Sequence, residues 1–430
     1  MKNNVSEFHG GQTPQRRAGT IVAFLFVTLL VGSLVFVLNI VHHSPGVASS
    51  PSLASASQLG VYIGSGDGFL YKLNATSGSL QWHQKIADRH IPAPPTVAGG
   101  VVYTGSLNGS VYALNSATGS QLWNYQTGSS VLSSPAVVNG AVYVGSSDNY
   151  LYALNAKSGS LLWRYNAATG TGATPPSTAA VNVGTAVVVN GVVYGHASDE
   201  VNHSYLFALD AANGTQLWRT QINDQIFSNM QVDNSGVYIA SWAITHQGGS
   251  GTTDSYVYAF NAKDGTQTWR SAKIGDVILS APAVANGVVY IGSKDTYVYA
   301  LDVRTGSRLW RYHTGGAIYT SPQVVNGVLY AGVASSVSTV ANNLKINTAV
   351  DSTSTSGSIV ALDAVKGTQR WQHPLGKYLG TPLVVNGSVV YVGTDDNFVY
   401  ALSATGGSQV WSYQIASSVP FNNAPITVAP

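Results

Sequence analysis

An all-β fold built from one repeated unit is predicted by three observations. The first is a segment of strand, tight turn and strand that closes on a tryptophan, as in Val298-Tyr299-Ala300-Leu301-Asp302-Val303-Arg304-Thr305-Gly306-Ser307-Arg308-Leu309-Trp310. The second is its recurrence: eight copies end on Trp82, Trp123, Trp163, Trp218, Trp269, Trp310, Trp371 and Trp411, which are eight of the nine tryptophans. The third is composition. Only 9% of the residues are charged, glycine is abundant at 46 residues, and hydroxyl and amide side chains supply most of the polarity. One such unit cannot bury its own apolar face, so the copies must pack on one another.

Each element follows from local chemistry. Val298, Ala300 and Asp302 alternate with Tyr299 and Leu301, the period of a pleated strand. Asp302 to Gly306 is turn chemistry: a carboxylate able to cap its own backbone, then a residue free to take positive φ. A full unit carries four strand-like runs, named A to D. In the third copy they are 135–138, 141–146, 150–155 and 161–166, and Asn139-Gly140, a strong hairpin signal, joins A to B. Four antiparallel strands repeated at about 40 residues make the blade of a β-propeller.

The spacing is regular with local exceptions. Trp82, Trp123 and Trp163 stand 41 and 40 residues apart, Trp269 and Trp310 stand 41 apart, and Trp371 and Trp411 stand 40 apart. Intervals of 55, 51 and 61 residues separate Trp163 from Trp218, Trp218 from Trp269, and Trp310 from Trp371. The extra residues fall at 167–184, 196–203, 242–254 and 333–356, read as loops. The first copy starts at strand B, 60–65, with no strand A before it. After Trp411, residues 417–428 resemble 129–138, which lead into a strand A. The C-terminal strand is therefore expected to complete blade one, giving a closed ring of eight four-stranded blades without open edges.

The N-terminal part reads differently. Residues 1–19 are a polar tail. Residues 20–41 are an almost unbroken apolar run, and about 20 helical residues at ~1.5 Å each span a ~30 Å hydrocarbon core. Arg16 and Arg17 precede the run, and no Lys or Arg occurs between it and Lys72. The positive-inside rule then places the N-terminus in the cytoplasm and the propeller outside. A cleaved signal peptide ending near Ala54-Ser55-Ala56 is the alternative. Residues 42–59 form a Ser/Ala/Pro linker, and 60–430 the propeller.

The recurring Gly-Ser-x-Asp, Val-Tyr-Ala-Leu-Asp, Thr-Gly and Leu-Trp elements resemble the pyrroloquinoline-quinone (PQQ) type propeller repeat over about residues 60–428. That resemblance implies that the repeat tryptophans pack between neighbouring blades. It also brings two kinds of relative: the propeller lipoprotein of the outer-membrane β-barrel assembly machinery, and quinoprotein dehydrogenases that hold PQQ and Ca²⁺. The chain has no Cys, so it lacks both a lipid-bearing N-terminal Cys and the adjacent-Cys disulfide found in many of the dehydrogenases.

These features point to a membrane-anchored, extracytoplasmic, non-catalytic binding or scaffold propeller with a protein or cell-envelope partner and no expected cofactor. A PQQ- and Ca²⁺-dependent dehydrogenase is one alternative, and an adhesive or polysaccharide-binding surface protein is another. A net charge of +2 with scattered basic residues gives no footprint for nucleic acid. Because the four insertions fall on B–C or D–A connections, the ligand face is expected there. The candidate residues on it are Trp242, which lies outside the repeat, with His196, His203, His246, Asp199 and Asp254. Glu200 and Asp224 belong to the same titratable cluster. The spacing matches no metal-ligand pattern, and solvated loop polarity is the plain alternative.

Overall fold

The computed structural model describes residues 59–170, 181–198, 204–226, 228–234, 236–245, 252–335, 356–376, 382–415 and 426–430. The expected tail, membrane run and all but the last residue of the linker lie outside the described residues. Within these segments the strands form eight antiparallel sheets, one per blade. Blade one is ordered Leu80–Lys85, Phe69–Asn74, Gly60–Gly64, Ile426–Ala429. The C-terminal strand pairs Ile426 with Ile63 and Val428 with Val61, so the two ends of the propeller share one sheet as the repeat offset requires.

Burial fixes the radial order. In blade three, strand B (Ala141–Gly145) is wholly buried, and strand D (Leu161–Asn166) is exposed at three of its six positions and forms the rim. The A strands of neighbouring blades touch one another around the axis. The apolar core is divided into eight clusters, each lying between two blades. Period-two alternation produces this division. Tyr71 and Leu73 face blade eight, whereas Leu70 faces blade two.

Six of the eight interfaces carry the same double latch, and the other two show one of its bonds, Trp269 to the Val303 carbonyl and Tyr290 to the Ala364 carbonyl. The indole N–H of Trp123 donates to the Ala156 carbonyl at 2.9 Å, in the C–D turn of the next blade. The Tyr103 hydroxyl donates to that same oxygen at 3.2 Å. Trp163 and Tyr143 share Ala211, and Trp371 and Tyr330 share Ala404. Trp411 and Tyr391 share Ala75, which latches blade eight to blade one. The turn itself is shaped by its first residue: Asn155 Oδ1 accepts the Lys157 and Ser158 N–H groups. Its glycine meets two demands at once. Gly306 has φ +69, and a Cβ there would stand 2.5 Å from the Trp269 ring.

Strand A is short, three residues in most blades, because a hydroxyl takes over its pairing. Ser133 Oγ donates to the Gly145 carbonyl at 2.9 Å and accepts the Gly145 N–H at 2.8 Å. Ser280 does the same for Gly292, and Thr320 for Gly332. In blade four an additional short strand, Asn182–Val183, pairs with Ser198 and Ala197 instead, so that sheet has five strands.

The insertions are not simply loops. In blade five, strands B and C run over Gly236–Thr245 and Thr252–Phe260, with the ladder reaching Thr245 opposite Thr252. In blade seven the ladder continues to Ser335 opposite Ser356. Trp242, expected beyond the end of its strand, pairs with Ser255 inside it. The sequence of this segment is rich in β-branched and aromatic residues, a composition that favours a strand longer than the usual one of the repeat.

Blade one departs from the pattern at two coupled positions. Seven blades carry Ala in strand C where this blade has Lys72, and six carry Val or Ala where it has Gly60. Lys72 Nζ donates to the Ser116 carbonyl at 3.0 Å and lies 5.2 Å from the Tyr62 ring centre. A Cβ on Gly60 would fall 2.5 Å from the lysine Cε. The missing side chain makes room for the long one. Gly60→Val alone is expected to cost about 1–3 kcal/mol through overpacking. Gly60→Val with Lys72→Ala, which restores the arrangement of the other blades, should lie closer to the parent than the sum of the single variants. Denaturation midpoints of the four proteins measure this, and strictly additive singles would show the two sites to be independent.

Candidate functional site

The B–C and D–A connections meet on one face, and the Gly-Ser-x-Asp element builds it. The glycine ends strand B where the D–A connection crosses: a Cβ on Gly105 would stand 2.3 Å from Val131, and one on Gly292 would stand 2.2 Å from Ile318. The aspartate then ties the turn together. Asp148 accepts the Tyr150 N–H at 3.1 Å, the Gly128 N–H at 2.7 Å and the Tyr152 hydroxyl at 2.6 Å. Asp295 likewise accepts from the Tyr297 N–H at 3.1 Å and from the Tyr299 hydroxyl. Burial first, then the Asp295 bond, pushes the Tyr299 phenol up to about 12.

Asp224 performs this task in blade five from a different element. It lies in the D–A connection and accepts the Ser241 hydroxyl at 2.8 Å and the Tyr258 hydroxyl at 2.6 Å. Burial, and then this bond, pushes Tyr258 up to about 12. A carboxylate that the sequence groups with titratable loop residues is therefore engaged in holding strand to connection.

The other candidates separate. His196 is buried in strand B of blade four, Val192–Ser198, opposite Leu206. A Cβ on Gly184 would fall 2.1 Å from its ring, so the short added strand closes over it. Its Nδ1 has no hydrogen-bond partner, and burial holds its pKa down to about 4. Asp254 is ion-paired with Lys273 across blade five, and this pair raises the lysine pKa. His203, His246, Asp199 and Glu200 lie outside the described residues, as does the side chain of Trp242. His196 and Asp254 sit in different blades. Among the described residues no three His, Cys, Asp or Glu side chains come together to hold a metal ion.

A PQQ and Ca²⁺ centre would need such a cage of oxygen ligands. The described residues assemble no such cage: Asp148 is engaged by a Tyr hydroxyl and backbone N–H groups and Asp224 by two hydroxyls, and Asp395 in the blade eight turn, whose buried Oδ1 has no hydrogen-bond partner, is pushed up to about 7 by burial and then by the neighbouring Asp396. What Asp148 and Asp224 accomplish is rigidity. Blade-to-blade geometry on this face is fixed by charge-assisted hydrogen bonds, and the three elongated hairpins of blades four, five and seven stand on that frame. Two depressions accompany it. One, of about 240 Å³, is lined by Lys85, Asp88, Asn108 and Tyr112 between blades one and two. The other, of about 420 Å³, opens between blades five and six. Sequence reasoning selected neither. The signal for the second was present as Ser271 facing Arg308, where five other blades carry Gln at the arginine position.

Comparison with known proteins gives a consistent picture of the repeat. The family model described as outer membrane protein assembly factor BamB matches residues 38–243, 202–275, 253–345 and 340–429. The BamB of Yersinia pestis is 36% identical over 87 residues, which cover 20% of this chain and 21% of that protein. The match thus spans about a fifth of that relative. Among solved structures, BamB from Moraxella catarrhalis is similar with a TM-score of 0.51 and 24% identity, covering 63% of this chain and 78% of that one. Quinohemoprotein alcohol dehydrogenase from Comamonas testosteroni is similar with a TM-score of 0.61 and 15% identity, covering 86% and 71%. Both structural likenesses concern the fold.

The buried imidazole gives the domain a pH signature. His196 takes a proton near pH 6.5 in the unfolded chain and near 4 in the folded one. Its folded-state pKa is depressed, so stability is full above about pH 6.5, declines as pH falls towards 4, and then levels. The decline attributable to this group is on the order of 3 kcal/mol. Urea midpoints measured from pH 7.5 to 4 should show the slope in the parent and a smaller one in His196→Gln. Equal slopes would exclude His196 as its source.

Proposed function

From the premise that this chain belongs to the PQQ-repeat propeller family described as outer membrane protein assembly factor BamB, we propose that it is a non-catalytic, membrane-tethered binding propeller that holds a protein partner of the cell envelope. The observation that carries this reading is the continuous family match across 38–429, together with a ring whose repeat carboxylates brace the fold. The apolar run at 20–41 supplies the tether, with the propeller on the outer side of the membrane. The ligand face is the one from which the blade four, five and seven hairpins project, because these are the elements by which the blades differ. Trp242, His203, His246 and Asp199 belong to those hairpins or their connections and are candidates for partner contact.

The register at the end of the blade seven hairpin allows a direct test. Ser335 and Ser356 are partners at the last described rung, so replacing 336–355 by Asn-Gly would close a two-residue turn there. The shortened protein is expected to keep a melting temperature within a few degrees of the parent and to lose the envelope protein that the parent captures by cross-linking in membranes. Undiminished capture of the same protein would rule out this loop as the contact.

The dehydrogenase reading makes the opposite prediction. Addition of PQQ and Ca²⁺ to the purified full chain should give no bound chromophore and no dye-linked alcohol oxidation. Appearance of both would replace the scaffold reading with an enzymatic one.

A further inference from the structure

In four blades the second residue after the repeat tryptophan is tyrosine: Tyr125, Tyr165, Tyr312 and Tyr413. The described contacts show its task, which is to fill the gap to the next blade. The Tyr165 ring lies 5.0 Å from that of Phe207, and its hydroxyl donates to Gln216 Oε1 at 2.6 Å. Tyr312 donates to Gln369 Oε1 in the same relation, and Tyr125 lies against Tyr152.

Both partners are changed at the junction of blades five and six. The tyrosine position is Ser271 and the glutamine position is Arg308. Ser271 turns into its own sheet, accepting the Val257 N–H at 3.0 Å and donating to the Ala272 carbonyl at 2.8 Å. Strand D ends early, at Arg270, and the chain rejoins the ladder only at the bridge between Ile274 and Ser255. A groove of about 420 Å³ is left, lined by Ser271, Lys273, Tyr299, Leu301, Ser307 and Arg308. An acceptor amide has thus become a guanidinium, and the phenol that would have met it is gone. Arg308 makes no hydrogen bond or ion pair among the described residues. The nearby cations are engaged: Lys273 with Asp254, and Arg270 stacked 4.1 Å over Tyr256.

We propose that this inter-blade groove is a binding site for a small hydroxylated carboxylate of the sugar-acid class. Arg308 receives the acid in its planar fork, the geometry a guanidinium matches best. The Tyr299 and Leu301 wall takes the apolar face of the ligand body, and the Ser307 hydroxyl lies beside its polar edge. The volume falls within the range of small-molecule pockets. Lys273 adds positive potential at the rim without being free to replace Arg308. The site is independent of the partner-binding hairpins, since it lies on the flank between two blades.

The test is calorimetric titration of the full chain with glucuronate, glucose and inorganic phosphate at low and high salt. Glucuronate should saturate, weaken as salt rises, and bind at least about tenfold more tightly than glucose. Arg308→Gln, which installs the residue that blades four and seven carry, should lose about tenfold in glucuronate affinity with an unchanged fold. Ser271→Tyr fills the groove and should abolish binding. With Arg308→Gln in the same chain it should also raise the melting temperature, by rebuilding the Tyr–Gln contact. No saturation of the parent at about 10 mM glucuronate, or undiminished binding by Arg308→Gln, would overturn the proposal. Phosphate binding as tight as that of glucuronate would overturn the carboxylate assignment.

Discussion

A carbonyl oxygen in the C–D turn, receiving an indole N–H, a tyrosine hydroxyl or, at six of the eight interfaces, both from the blade before it, is the contact on which this ring depends. It works because three residue types are set at fixed offsets. The Asx residue folds the turn so that the carbonyl points outward, the glycine lets the indole lie flat against the turn, and the tryptophan brings both apolar area and a donor. The latch is local in chemistry but joins separate sheets, so its repetition turns independent blades into a ring. At Ala75 it joins the last blade to the first across most of the chain. The same blade is completed by strand pairing between Ile63 and Ile426, so closure rests on both an edge ladder and a side-chain contact.

Rigidity on the opposite connections comes from carboxylates. Asp148 and Asp295 satisfy tyrosine hydroxyls and backbone donors from their own turn, and Asp224 achieves the same result from a neighbouring connection. These groups are well placed for bracing, because each accepts hydrogen bonds that tie a turn or connection to a neighbouring strand. This is consistent with the binding reading of the domain: Asp148, Asp295 and Asp224 serve the frame, and variation is left to the projecting hairpins.

Departures from the repeat are informative because the repeat itself is so regular. Gly60 and Lys72 change together and keep the interface filled. Ser271 and Arg308 change together and leave it open with an unpaired guanidinium. The short strand at Asn182–Val183 replaces a hydroxyl partner and seals His196 beneath it. The first of these compensations preserves packing, the second exposes chemistry, and the third isolates a titratable group from water.

The residue order by itself determined the strands, the turn types, the number of blades and the return of the final strand, because all of these follow from period-two alternation and turn chemistry acting over short distances. The offset between the ends, with strand B first and strand A last, fixed the closure. Tertiary structure decided which side chains meet across blades. It showed that Asp224 reaches Tyr258 and Ser241, that His196 lies under Gly184, and that strands continue through segments read as loops. It also showed that a missing tyrosine in one blade faces an arginine in the next. Those outcomes depend on sheets packing face to face at a spacing the chain does not encode locally, so a residue's partner stands tens of positions away and only folding brings the two together.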